Sequence, residues 1–288
     1  MYTNNATRKH PGLVVLMIDQ SGSMEDTSLA SGKTHAVIAS EYINIFITEM
    51  VYIATRLVGD DDEEVRDFQK VVICGYGSEP ENKATILYEG YLSDIANKYK
   101  KEEKIATING QSLWGYRVIE PISGYFTPMA SAFNLVKQQI NKWKAEGKDG
   151  IEDPSPIIIN ITDGAPTDEE GYPTEEALAE TAKEAREIMN ISFPDGSPRI
   201  FNILISKLAE NEVYFPDNTN VLEGDSFAQF LYSISSTMTD DLMEAISSQG
   251  LGKPTANSRM LLMGETSIDK FLPLLIDMRR NHWRGKLR

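Results

Sequence analysis

Apolar positions fall into short runs separated by longer polar stretches. Five runs read as strands, because they are rich in β-branched residues and bounded by turn formers: GLVVLMI (12–18), KVVICGYG (70–77), ATILYEGYL (84–92), PIIINIT (156–162) and RIFNILIS (199–206). Three are almost continuously apolar, the pattern of strands buried on both faces in a largely parallel sheet. ATILYEGYL alternates instead and follows its predecessor closely, which predicts a half-exposed antiparallel edge strand. A last short strand is expected at TNVLEG (219–224). Helical periodicity predicts helices over 33–58, 128–146, 174–190 and 226–248. The first is apolar nearly all round (Val37, Ile38, Tyr42, Ile43, Phe46, Ile47, Met50, Ile53, Ala54, Leu57), which predicts burial against the sheet. Strands alternating with helices give a doubly wound α/β fold.

The remaining stretches are polar. DDDEE (60–64) reads as a solvated loop, 93–123 as a longer polar segment ending in SLWGYRVIEPIS, and 250–265 as a loop followed by a short helix that includes Pro273, Leu274, Leu275 and Met278. These boundaries divide the chain into an N-terminal extension (1–11), one α/β domain (12–249) and a C-terminal extension (250–288).

Composition narrows the chemistry. The net charge of −15 argues against a nucleic-acid-binding body. Residues 279–288 hold five of the 28 basic side chains and none of the 43 acidic ones, which leaves −20 on the rest and marks the tail as a segment for docking or for solvent. No uninterrupted run of about 20 apolar residues occurs, and MYTNNATRKHPG lacks the apolar core of a signal peptide, so the expectation is a soluble, cytoplasmic protein without a membrane partner. One cysteine, Cys74, excludes disulfides and cysteine metal clusters, and three scattered histidines (His10, His35, His282) offer no zinc spacing. A metal here is expected to be held by oxygen.

In open α/β sheets the ligand site lies beyond the carboxyl ends of the strands. Asp19 follows GLVVLMI and Asp163 follows PIIINIT, so both open onto that edge, and GYFTPMASAF sets Thr127 at the start of a helix with Pro128 suited to its first turn. With Ser21 and Ser23 of DQSGSM these groups form an all-oxygen set, suited to Mg²⁺, with Mn²⁺ and Ca²⁺ as other fits.

DQSGSM resembles the DxSxS motif of the von Willebrand factor type A (VWA) family, which defines its metal-ion-dependent adhesion site. Asp19, Ser21 and Ser23 fill the three positions, Thr127 in TPMASAF matches the family threonine, and Asp163 in ITDGAPTD matches its TDG aspartate. GYGS after the second strand and LSDI after the third also resemble family features, and the likeness covers roughly residues 12–248. The chain departs from the family at Phe126, where relatives usually carry glycine. The resemblance implies a mostly parallel sheet of about six strands with one antiparallel edge strand, helices on both faces, and a bound cation that captures an Asp or Glu of a partner protein. FAQFLYSISSTM is similar to the bacterial tellurite-resistance-associated, TerY-like group, which implies kinase and phosphatase partners in stress signalling; an adaptor for an AAA+ ATPase is the alternative within the family.

Rival chemistries fit less well. SGKT (31–34) ends like a phosphate-binding loop, but the first glycine of that motif would fall on Thr27. A dehalogenase-type phosphatase needs an acid two residues after Asp19, where Ser21 stands, and no GxSxG elbow supports a serine nucleophile. A metal-dependent hydrolase on the same cation lacks an evident general acid. The sequence therefore reads as a binding module rather than an enzyme.

Overall fold

In the computed structural model, which describes residues 2–58, 62–81, 83–108, 110–205, 212–248 and 253–264, the run at 12–18 forms strand β1 (Gly12–Asp19), every residue of it buried. Its two faces serve two cores. Val14, Leu16 and Ile18 pack under helix α1 (His35–Ala54), whereas Leu13, Val15 and Met17 meet helix α3 (Met129–Ala145) on the opposite side. A strand covered on both faces carries no polar alternation, which is why its sequence is continuously apolar.

Around β1 the chain builds the doubly wound α/β sheet expected of it. Among the described residues, hairpin strands β2 (Thr55–Val58) and β3 (Asp62–Val65) follow α1, then come β4 (Gln69–Tyr76), β5 (Ala84–Tyr91), helix α2 (Leu92–Lys98) and a second hairpin, β6 (Glu103–Ile108) and β7 (Gln111–Gly115). After α3 the chain continues through β8 (Ile157–Thr162), α4 (Glu175–Met189), β9 (Arg199–Leu204), β10 (Val213–Tyr214), α5 (Ser226–Ile234), α6 (Asp240–Ser248) and β11 (Leu261–Met263). The main sheet has seven strands in the order β10-β11-β9-β8-β1-β4-β5. Its inner pairs are parallel, and β5 and β10 close the two edges antiparallel. The half-exposed edge strand at 84–92 is where alternation placed it; the second antiparallel edge strand was not expected.

Other expectations are corrected. The segment 219–224 is a short 3₁₀ turn (Asn220–Leu222) rather than a strand, with only Leu222 buried. The strand lies instead at Leu261–Met263, inside the stretch read as a loop, and it pairs parallel to β9, so the sheet continues past residue 249. The helix expected over 226–248 is broken at Ser235–Thr239: the Ser236 N–H donates to the Ile200 carbonyl (2.9 Å), its Oγ accepts the Ile200 N–H (2.9 Å) and its carbonyl accepts the Met260 N–H (2.8 Å), so non-helical backbone runs beside the start of β9, where serine and threonine disfavour helix. Asp62–Val65, the latter part of the acid run and its neighbour, pairs with Thr55–Val58 instead of forming only a loop. The expected C-terminal helix and basic tail lie outside the described residues.

Helix α1 is long and apolar enough, by length and composition, to cross a membrane, yet most of it is buried within the domain. The sheet covers one side. The other is covered by residues 105–108 and 110–119: Ile105, Tyr116 and Ile119 are buried against it, the Tyr116 N–H donates to Thr48 Oγ1 (2.9 Å), and Gly115 approaches so closely that a Cβ there would lie 2.4 Å from that oxygen. Buried Asn44 holds the same segment, accepting the N–H groups of Val118 (2.8 Å) and Ile119 (3.0 Å) and donating to the Ile119 carbonyl (2.8 Å). Far from that face, residues 2–4 strap the opposite end of the sheet, where Asp195 Oδ1 accepts the N–H groups of Thr3 (2.8 Å) and Asn4 (2.9 Å) and the Arg199 guanidinium lies 4.3 Å from the Tyr2 ring centre.

Replacing Asn44 with alanine leaves three backbone groups of the covering segment without their partner at a buried position. The expected loss is about 2–4 kcal/mol, read as a lower urea midpoint at unchanged slope. A loss within experimental error of zero would show that Asn44 does not hold that segment to α1.

Candidate functional site

The register of the parallel strands creates the site. β1 pairs with β4 on one side and β8 on the other, with Ile18 opposite Ile161 and Asp19 opposite Tyr76. The chain leaves β1 toward β4 and later returns to add β8 and β9 on the other side, so β1 and β8 flank the point where strand order reverses. Asp19 and Asp163 stand at that crevice.

Local backbone then turns the hydroxyls inward. The Gln20 N–H extends the ladder to the Tyr76 carbonyl (2.8 Å), and Asp19 Oδ1 accepts the Ser21 N–H (2.9 Å), which closes a turn directly after the strand. A 3₁₀ turn, Gly22–Glu25, follows, anchored by fully buried Met24. Ser21 and Ser23 hydroxyls lie 3.2 Å apart, and Ser23 Oγ donates to Asp163 Oδ1 (2.6 Å). Four of the five predicted residues, Asp19, Ser21, Ser23 and Asp163, are thus brought together.

Thr127 reaches the same edge by its backbone. Its N–H donates to Thr167 Oγ1 (2.9 Å), and the preceding loop threads between the two strand-end turns: Gly22 N–H donates to the Tyr125 carbonyl (2.8 Å) and Tyr125 N–H to the Gly77 carbonyl (2.7 Å). The threading requires glycine. Gly77 has φ +94°, and a Cβ there would lie 2.3 Å from the Phe126 carbonyl oxygen. The Thr127 hydroxyl takes no part in the side-chain bonds that join the other four. Phe126 lays its ring on Gly171, where a Cβ would lie 2.5 Å from ring carbons, so the residue that departs from the family pattern packs this loop onto the one after Asp163.

Two residues outside the expected five complete the arrangement. Thr162 Oγ1 donates to Asp19 Oδ2 (2.6 Å), and His35 Nδ1 lies 2.7 Å from Asp163 Oδ2. Thr162 stands one step before Asp163, but the strand register that sets it beside Asp19 is a tertiary feature. His35 had no local signal. Lys33 of SGKT is engaged by both oxygens of Glu41 (2.7 and 2.8 Å) and by the Thr107 carbonyl (3.2 Å), so it ties the start of α1 to the β6–β7 hairpin. Of the aromatics near this edge, Tyr116 is core, whereas Tyr125 (52% exposed) and Tyr172 (63%) stand in solvent on the loops before Thr127 and after Asp163, and Trp114 (56%) is exposed on the hairpin.

The electrostatics follow from burial. Asp19 is fully buried and faces a second carboxylate, so desolvation first and repulsion from Asp163 second push its carboxyl from the ordinary 3.8 to about 7, against the lowering effect of bonds from Thr162 and Ser21. Tyr76, beside it and equally buried, is held well above the usual phenol range, chiefly by burial. Among the described residues no group of three or more His, Cys, Asp or Glu is placed to hold a metal. The donors here are two carboxylates and neighbouring hydroxyls, an oxygen set of the kind hard divalent cations take, and a cation between the carboxylates would remove the repulsion that raises Asp19.

No protein-family model and no curated protein matches the chain. Among solved structures it is similar to the pilus adhesin SpaC from Lactobacillus rhamnosus GG, with a TM-score of 0.53 and 14% identity over 97% of this chain and 31% of the adhesin. The chain thus spans less than a third of that protein. The likeness is one of fold. A looser match, TM-score 0.34 and 15% identity over 69% of this chain and 83% of the other, is to the TFIIH p34 N-terminal domain.

The raised carboxyl gives a signed prediction. Between pH 3.8 and about 7 the folded protein keeps on Asp19 a proton that the unfolded chain has released, so without metal this group lowers stability as pH rises through that window and no further above it. In EDTA, Asp19→Asn is therefore expected to be more stable than wild type at pH 8, by up to about 4 kcal/mol, with the gap closing toward pH 4. Urea unfolding at both pH values measures it; a less stable Asn variant at pH 8 contradicts the assignment.

Proposed function

We propose that the chain is a VWA-type, metal-dependent protein-binding module, in which Mg²⁺ held by Asp19, Ser21, Ser23, Thr127 and Asp163 captures an acidic side chain of a partner. The observation that carries this reading is the meeting of two buried carboxylates with the Ser21 and Ser23 hydroxyls: Ser23 donates to Asp163, and burial followed by repulsion from Asp163 pushes the Asp19 carboxyl up to about 7. When bound, the cation offers a Lewis-acidic position to a carboxylate from outside. Few anionic donors from the chain suit that role, since a cation neutralised by its own protein would not attract another carboxylate. Asp19 and Ser21 are fixed by the turn after β1, Asp163 by Ser23 and His35, and the hydroxyls offer neutral oxygen.

Exposed Tyr125 and Tyr172 on the flanking loops supply aromatic area around such an anchor, as interfaces often do. Cys74 is buried with its thiol pushed up to about 12, an inert state that fits a protein working without disulfides in the cytoplasm. The partner class we propose is the kinase and phosphatase machinery of bacterial stress signalling, on the resemblance of FAQFLYSISSTM to the tellurite-resistance-associated group.

Affinity capture from native lysate, with Mg²⁺ and again with EDTA, tests this reading. Wild type in Mg²⁺ is expected to retain a kinase or phosphatase that EDTA and Asp19→Ala each release. Capture that survives both treatments sinks the metal anchor; metal-dependent recovery of an AAA+ ATPase keeps the anchor and replaces the partner class. Phosphoester or peptide turnover lost on Asp19→Ala would show a hydrolase instead.

A further inference from the structure

We propose that His35 positions Asp163 for the cation, holding one carboxylate oxygen so that only the other addresses the metal site. The inference rests on the metal-site reading above and adds a residue to it. The His35 and Asp163 side chains are 1% and 2% exposed, and Nδ1 lies 2.7 Å from Oδ2. The remaining oxygen, Oδ1, receives the Ser23 hydroxyl at 2.6 Å. With Nδ1 carrying the ring proton, Asp163 is held from both sides, and a carboxylate so held cannot swing to offer both oxygens to one cation. It contributes at most one oxygen, which leaves coordination positions for water and for a partner.

The histidine sits on a rigid support. It is the first residue of α1, whose N-terminal turn is capped by Thr34 Oγ1 accepting the Val37 N–H (3.3 Å). Its own N–H donates to the Asp26 carbonyl (2.9 Å), and the Asp26 N–H donates to the Ser23 carbonyl (2.8 Å). The Thr27–Thr34 bridge and the bond from Ser28 N–H to the Lys33 carbonyl (2.8 Å) close the loop between them. One short, cross-braced segment therefore carries both groups that hold Asp163: Ser23 at its start and His35 at its end.

The other ring nitrogen separates this role from packing. His35 Nε2 is buried and makes no hydrogen bond, so the ring's one polar attachment is to Asp163. A buried polar atom left unpaired costs stability. A phenylalanine would fill the same space without an unpaired nitrogen but would leave Asp163 Oδ2 without its partner, so the histidine is of use for what Nδ1 does. This arrangement inverts the usual metal centre, in which a carboxylate orients a ligating histidine; here a histidine orients a ligating carboxylate.

Mn²⁺ alone, titrated calorimetrically into the full chain, tests the proposal. Wild type is expected to bind one ion. His35→Phe, which keeps the ring and removes the donor, is expected to weaken binding about 10- to 100-fold and to lower the metal-free Tm, because Asp163 Oδ2 loses its partner, and His35→Gln, whose amide restores a donor, to recover part of the affinity. In an Asp163→Asn background, His35→Phe should leave the residual affinity where it was. Equal Mn²⁺ affinity of folded His35→Phe and wild type overturns the positioning role, as does a His35→Phe loss that persists undiminished in the Asp163→Asn background. Wild type that takes up no Mn²⁺ removes the metal-site reading itself, a different result from an unaffected variant.

Discussion

Parallel pairing of β1 with β8 is the constraint on which the rest of the site depends. Ile18 opposite Ile161 brings the ends of two buried strands level, so the residues that follow them, Thr162 and Asp163 on one side and Asp19 on the other, meet in one crevice although 143 residues separate Asp19 from Thr162. A slip of one residue would turn Thr162 away from Asp19, because successive side chains in a strand face opposite sides. Such a slip would also exchange the residues packed into the two cores, Val14, Leu16 and Ile18 in one and Leu13, Val15 and Met17 in the other. Core packing thereby sets functional geometry directly.

The same closeness is costly. Burial first and the nearby Asp163 second push the Asp19 carboxyl up to about 7, so it holds a proton near neutrality. Hydrogen bonds from Thr162, from the Ser21 backbone and from Ser23 and His35 to Asp163 compensate part of that cost without removing it. Under the metal-site proposal, a bound cation would offset that repulsion. The neighbouring glycines belong to the same logic: Gly77 lets the loop that carries Thr127 pass within contact distance of the Asp19 turn.

Around this centre the chain adds features specific to itself. The cover of residues 105–108 and 110–119 lies over the outer side of α1 and is held by Asn44 and Thr48, which converts a helix apolar all round from an apparent liability into an interior element. Lys33, bonded to Glu41 and to the Thr107 carbonyl, fastens that cover to the start of α1, where His35 also sits. Tyr125 and Tyr172 remain outside, on the two loops that flank the site.

Much of this was legible in the residues. Continuous apolar runs rich in valine and isoleucine specify strands buried on both faces, and the polar residues ending them, Asp19 and Asp163, fall at the carboxyl edge wherever the strands lie. Ser21 and Ser23 follow from the same local turn. Burial leaves a local mark of this kind because each strand or helix carries its own periodicity. Which strands neighbour one another leaves no such mark. The choice of Thr162 and His35 as partners for the two aspartates, the cover over α1, and the strand at Leu261–Met263 in place of 219–224 depend on contacts between residues far apart in the chain. Sequence determined the parts of the site and the edge on which they stand; only the tertiary register decided which side chains touch, because a hydrogen bond of 2.6 Å demands an alignment that no local pattern encodes.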